Sequence, residues 1–233
     1  MEEDNWKPLE SNPESINEYL KSIGVRTDSF CFTDLYSLED WAQEALPKPV
    51  LGIVVCFPTT KNQDELSKKK QDKALSEKKE LPADLFFMKQ YAQNACGTIA
   101  LFHLYANLEK NHPELFEENS MIIKFKHEAK DLTYDERGHK FNGNKEIKQV
   151  HKKFVEEGDS VPCDEVNNHF ISFGVVDGKL FEFDGGKDLP IDLGECTPDE
   201  LLEKSCLTIK EMMNEDPENI CFSMLALVKA END

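Results

Sequence analysis

No stretch of the sequence approaches the roughly 20 consecutive apolar residues that span a bilayer. The opening MEEDNWKPLES is acidic and polar, where an export signal is basic and then apolar. A soluble, intracellular protein is expected, cytoplasmic or also nuclear. Close cysteine pairs are missing too. The seven cysteines, at 31, 56, 96, 163, 196, 206 and 221, come no nearer than the ten positions between Cys196 and Cys206, which excludes a zinc knuckle or a redox C-x-x-C. An odd number of them in a chain with no export signal predicts thiols instead of a disulfide framework. Positive charge is scarce: 27 basic against 46 acidic residues give a formal charge of -19. Such a field repels nucleic acid and anionic membrane and steers basic partners inward. The competing reading is that the acidity serves solubility alone.

What is present reads as one large domain or two small ones, since 233 residues suffice to bury a substantial core. The stretch NPESINEYLKSIGV sets Ile16, Tyr19, Leu20 and Ile23 at helical spacing and stops at Gly24. VLGIVVCF, from Val50, is β-branched and apolar throughout, as a strand covered on both faces would be, and should be central in a sheet. Residues 61–80 are dense in charge and poor in bulky apolar groups, so they read as a mobile surface loop, with a solvated, lysine-laced helix as the alternative. Further helices are expected in NHPELFEENSMIIKFKHEAKDL and in GNKEIKQVHKKFVEE, the second with Ile147, Val150 and Phe154 on one side. EGDSVPCDEVNN, from Glu157 to Asn168, has no steady period and reads as a lid-like loop.

In HFISFGVVDGKLFEFDGG two strand-like runs flank Asp177-Gly178, a pair favoured in type I′ turns. That turn pairs Val176 with Lys179 and puts Ile171 opposite Asp184. Opposed residues share a face, as do residues two apart on a strand. His169 and Asp184 are then diagonal neighbours within hydrogen-bonding reach, in a register that a one-residue slip would destroy. Taken singly, each has a plainer reading, a strand-end histidine and a turn-forming aspartate.

Cys96, in QNACGTIALFH, lies just where Asn94 reads as the opening of an almost wholly apolar helix. Unpaired N–H groups and the positive end of the helix dipole favour a thiolate there. The small neighbours Ala95 and Gly97 leave room for a substrate backbone. A buried, inert cysteine is the alternative. Gln90 can supply a side-chain amide beside the helix N–H groups to hold an oxyanion. His103, two turns on, reads as structural.

Gln90, Asn94-Ala95-Cys96-Gly97-Thr98, Asn168-His169-Phe170-Ile171 and Leu180-Phe181-Glu182-Phe183-Asp184-Gly185 together resemble the ubiquitin carboxyl-terminal hydrolase family of deubiquitinating thiol proteases. WKPLESNPES, PKPVLGIVVCFPTT and EDPENICFSMLALV match as well, so the resemblance runs over the whole chain, 1–233, as a single catalytic domain. It departs at Ser37, where the family often has glycine, and at Gly186, where arginine is frequent.

The resemblance implies Cys96 as nucleophile, His169 as general base and acid, Asp184 as the group that orients His169, and Gln90 as part of the oxyanion hole. It implies an α/β fold of papain-like type, with a central, mostly antiparallel sheet flanked by helices. The chain path would be knotted, and a crossover loop at about 149–168 would lie over the active site. Asp34, Leu9, Asn94 and Asn168 are expected at the substrate, Asp34 as an acidic contact for the arginine-bearing ubiquitin tail. The expected partner is ubiquitin or a ubiquitin-like modifier. No cofactor, metal, nucleic acid or membrane is expected, and the chain is expected to be a monomer. Small or flexible groups would leave from the ubiquitin terminus. The alternatives are a catalytically restrained ubiquitin-binding module, another papain-like peptidase, or an acidic interaction protein with a structural cysteine.

Overall fold

Apolar residues set in strand and helix periods divide this chain into one sheet with helices on both faces. The computed structural model describes residues 6–157, 168–218 and 221–230. In chain order the helices are α1 (Pro13–Ser22), α2 (Asp40–Ala45), α3 (Lys61–Glu77), α4 (Cys96–Leu108), α5 (Met121–Glu128), α6 (Tyr134–Asn142), α7 (Lys145–Glu157) and α8 (Leu201–Glu215). The strands are β1 (Phe30–Asp34), β2 (Val50–Pro58), β3 (Asn168–Val176), β4 (Lys179–Phe183), β5 (Ile191–Glu195) and β6 (Ser223–Lys229). They form one sheet in the order β1-β6-β2-β3-β4-β5, and every pairing is antiparallel.

The strand β2 lies inside the sheet between β6 and β3, and every residue of it except Pro58 is buried. Its continuous apolar run is explained by a core on each face. On one face Val54 and Cys56 join α1, α4, α5 and the Phe141 side of α6. On the other, Ile53, Val55 and Phe57 pack with Leu202, Cys206, Ile209 and Met212 of α8. The helix α4 is buried on nearly all sides, as its unbroken apolar sequence requires. It sits on β3 and β2, and Ser172 Oγ of β3 donates to the Ala100 carbonyl of α4 at 2.9 Å.

The helix α1 begins where expected. Asn12 caps it by accepting from the backbone N–H of Glu14 and Ser15, and Gly24, at φ +80°, lies just beyond its end. The segment read as a mobile loop is instead the 17-residue helix α3, the lysine-laced alternative. Thr60 caps it by accepting from Gln63 N–H. It docks mostly through polar groups: buried Gln63 donates to the Met212 carbonyl at 2.7 Å, Lys70 reaches Glu182, and Leu66 adds an apolar contact. Residues 149–157, expected as part of a crossover loop, are the last turns of α7. The remainder of that loop, 158–167, lies outside the described residues. The helix α6 was not read from the sequence. It is capped by a reciprocal Thr133–Glu136 box.

Candidate active site

Cys96 is the first residue of α4, and Ala95, not Asn94, is its N-cap, with no side-chain capping bond. Asn94 precedes it with φ at +62°, a left-handed conformation that asparagine tolerates, and so turns the chain into the helix instead of capping it. The Ala95 carbonyl takes the first helical bond from the Ile99 N–H at 2.9 Å. The N–H groups of Cys96, Gly97 and Thr98 therefore have no acceptor within the helix. They are fixed dipoles at a rigid mount beside a buried sulfur.

The chain before α1 and the helix α7 hold this helix start in place. A Cβ on Gly97 would meet Leu9 Cβ at 3.2 Å, so the small residue lets the buried Leu9 lie against it. Trp6 stacks on Phe141 at 5.3 Å between ring centroids. Between them His151 of α7 contacts the Lys7 carbonyl through Nε2 at 2.7 Å and Thr98 Oγ1 through Nδ1 at 3.0 Å. Since a carbonyl only accepts, Nε2 carries the proton and Nδ1 accepts from Thr98. Burial lowers the His151 pKa to about 4, which keeps this linker neutral. His151 was missed in the sequence. Its signal was its place on the same face of α7 as Ile147 and Phe154.

The hairpin pairs Val176 with Lys179, Gly174 with Phe181 and Ser172 with Phe183, the register expected. Asp177 and Gly178 have φ of +46° and +77°, as a type I′ turn requires. One step beyond that ladder, His169 Nε2 donates to Asp184 Oδ1 at 2.6 Å. Gly186 N–H donates to the same oxygen at 2.8 Å. The Cys96 thiol is a further side-chain hydrogen-bond partner of the same imidazole. Burial pulls the His169 pKa down, but the Asp184 charge, its hydrogen bond and the Cys96 contact outweigh it and raise it to about 10. Burial likewise pushes Asp184 up, yet His169 and Lys187 hold its carboxyl well below the usual carboxylate range.

A sulfur, an imidazole and a carboxylate thus stand next to one another, an arrangement that can supply a nucleophile, a base and an orienting group. Burial pushes the thiol of Cys56, on β2, up to about 12. Cys31, Cys56, Cys96, Cys196 and Cys206 are free thiols, as the odd count implied. Among the described residues no cluster of His, Cys, Asp and Glu is built to hold a metal ion, and no helix is long and apolar enough to cross a membrane.

Gln90 is tied to the same hairpin end: its backbone N–H donates to the Gly185 carbonyl at 2.7 Å. Its side-chain amide donates to the Ala92 carbonyl at 3.0 Å, while its Oε1 is buried and accepts no hydrogen bond. Asn168 is exposed at the start of β3, next to His169. Asp34, half-buried, ends β1 opposite Leu225. His103 is fully buried, stacked on Phe87, and held neutral by a pKa lowered to about 3 through burial. Its structural reading stands. Nothing in the sequence pattern marks Lys187, which donates to Asp184 Oδ2 at 2.5 Å and to Glu182 Oε1 at 2.9 Å.

A family model described as ubiquitin carboxyl-terminal hydrolase, family 1, matches residues 6–214. A probable ubiquitin carboxyl-terminal hydrolase of Dictyostelium discoideum is 37% identical, covering 98% of this chain and 90% of that protein. Ubiquitin carboxyl-terminal hydrolase 3 of Arabidopsis thaliana is 35% identical over 96% of this chain and 94% of its own. The human isozyme L1 is 33% identical over 96% and 98%. The crystal structure of the Trichinella spiralis UCH37 catalytic domain bound to ubiquitin vinyl methyl ester superposes with a TM-score of 0.75 at 25% identity, covering 98% of this chain and 97% of that one.

Proposed function

The chain belongs to family 1 of the ubiquitin carboxyl-terminal hydrolases, cysteine-type deubiquitinating enzymes, and from that premise we propose that it cleaves the bond after the carboxyl-terminal glycine of ubiquitin through Cys96, His169 and Asp184. The observation that carries the assignment of roles is the 2.6 Å His169–Asp184 bond on an imidazole that also has the Cys96 thiol as a hydrogen-bond partner.

Cys96 sulfur, as thiolate, adds to the glycine carbonyl carbon. The developing oxyanion meets helix-start N–H groups, with Gln90 as the side-chain donor once its amide releases the Ala92 carbonyl. As the intermediate collapses, the carbon–nitrogen bond breaks and His169 delivers its proton to the departing amine. A thioester remains on Cys96. Water then attacks it, giving one proton to His169, and the carboxylate leaves while Cys96 is restored. Throughout, Asp184 holds the imidazole in one tautomer and orientation. The sequence supplies no cofactor role in this scheme. Ester and thioester adducts of ubiquitin fit the same steps, as do precursors with small or flexible extensions.

The substrate side is proposed on the same basis. Asn94 and Asn168 flank Cys96 and His169 in sequence. Leu9 shapes the wall at Gly97, and Asp34 offers an acidic contact to the ubiquitin tail. Incubation with a ubiquitin carboxyl-terminal amide tests the reading. The wild-type chain is expected to release the amine, and Cys96→Ser to abolish release while still binding ubiquitin. Undiminished hydrolysis by Cys96→Ser would overturn it. Tight binding by an inert wild type would instead favour a restrained binding module.

A further inference from the structure

The hydrolase reading uses His169 and Asp184 but leaves unexplained a chain of buried charges behind them. Lys187, just beyond β4, donates to Asp184 Oδ2 and to Glu182 Oε1, and Lys70 of α3 donates to the other oxygen of Glu182 at 2.7 Å. Side-chain exposure is 5% for Lys187, 2% for Glu182 and 6% for Asp184, and it rises to 16% at Lys70. These groups border a cavity of about 220 Å3 that opens between α3 and the sheet and is lined also by His169, Phe57 and Ser67.

Buried charge without a partner is costly, and removing one partner leaves the other uncompensated. Here two carboxylates meet two ammonium groups, so the set is balanced, and any charge on His169 is left to answer Cys96. The ion pairing has a second effect. Asp184 divides its charge between His169 at Oδ1 and Lys187 at Oδ2, so Lys187 limits how firmly the carboxylate can hold the imidazole proton.

We propose that Lys187 is a positioning residue for the reaction: through Asp184, and steered by Glu182 and Lys70, it sets how strongly His169 holds its proton. This rests on the hydrolase reading for its catalytic meaning and on geometry alone for the coupling itself. The other titratable groups around the pair fit the picture. Cys96 faces His169 from α4, His103 lies on the α4 side of Asp184 and is neutral, and Asp64 of α3 lines the cavity.

The test is a set of charge changes with opposed signs. Lys187→Met removes a cation near Asp184, so His169 should hold its proton more firmly and the alkaline limb of kcat/KM should move up by about one pH unit. The imidazolium then donates more reluctantly to the leaving amine, and kcat should fall about 3- to 10-fold with KM little changed. Glu182→Gln removes an anion, frees Lys187 for Asp184, and should move the limb down. The Lys187→Met/Glu182→Gln double variant restores the balance and should bring the limb back toward wild type. Lys187→Arg should rescue most of kcat. The His169 imidazole signal in NMR, followed against pH over the range where circular dichroism shows each variant folded, reports the same shifts without substrate.

If Lys187→Met fails to fold, Lys70→Met, at the more exposed end, should still raise the limb slightly. Limbs that stay at the wild-type position in all variants, or that move the same way for Lys187→Met and Glu182→Gln, would overturn the proposal. A wild-type chain inert toward ubiquitin amides but showing the opposed NMR shifts would sink the hydrolase reading and leave the coupling. Hydrolysis with no shifts would do the reverse.

Discussion

Asp184 and Cys96 outweigh burial at His169 and raise its pKa, so loss of the carboxylate should be felt most after loss of the Cys96 thiol. Asp184→Asn retains the shape but removes the charge, and kcat should fall by about 10²- to 10⁴-fold while ubiquitin binding changes little. Steady-state kinetics check this, and an unchanged kcat would remove Asp184 from the mechanism. The His169–Asp184 bond was legible in the sequence because a two-residue turn fixes the register of a hairpin and the register fixes which side chains meet. Lys187 and Lys70 were not legible. Lys70 comes to Glu182 from 112 residues away, and Lys187 bends back to it from beyond β4, a meeting that no helix or strand period encodes. Asn94 shows a related limit: a polar residue ahead of an apolar helix has the sequence signature of a cap, and only its positive φ distinguishes it as a turn.

At the scale of elements, the apolar ones were the readable ones. The helix α1 carries its burial in its periodicity, and β2 and α4 carry theirs in unbroken apolar runs. The helix α3 does not, because it docks by Gln63 and Lys70 with Leu66 between them, and a polar docking face resembles a solvated one in sequence. The helix α6 has a less visible task. A Cβ on its Gly138 would come within 2.1 Å of the Lys89 carbonyl oxygen, a backbone atom that cannot swing aside. Gly138→Ala should therefore push on the segment that carries Gln90, destabilise the fold by about 1–3 kcal/mol, and lower kcat. Urea unfolding and kinetics measure the two effects, and wild-type stability would contradict this packing. His151→Phe should loosen the start of α4 similarly, since the phenyl ring can meet neither Lys7 nor Thr98.

For the whole molecule, the titrating groups give stability a maximum near neutral pH. The protonated His169–Asp184 pair contributes stability that is complete below the ordinary histidine pKa near 6.5 and is lost as pH rises through about 10. His103 and His151, lowered to about 3 and about 4, act on the other side. There the unfolded chain takes up protons that the fold refuses, so stability falls as pH drops below about 6.5. Urea midpoints across pH should trace this dome, and Asp184→Asn should flatten its alkaline side. An unchanged alkaline slope in that variant would contradict the assignment. The formal charge of -19 acts at the same scale: association with ubiquitin should slow as salt is raised, and stopped-flow rates independent of salt would exclude electrostatic steering while leaving the chemistry intact.

The most direct measurement is the mass of the product formed with a ubiquitin bearing a carboxyl-terminal vinyl methyl ester. One adduct per chain, located on the peptide that contains Cys96 and absent in Cys96→Ser, is the predicted result. No adduct, or an adduct carried by another cysteine, would contradict the account.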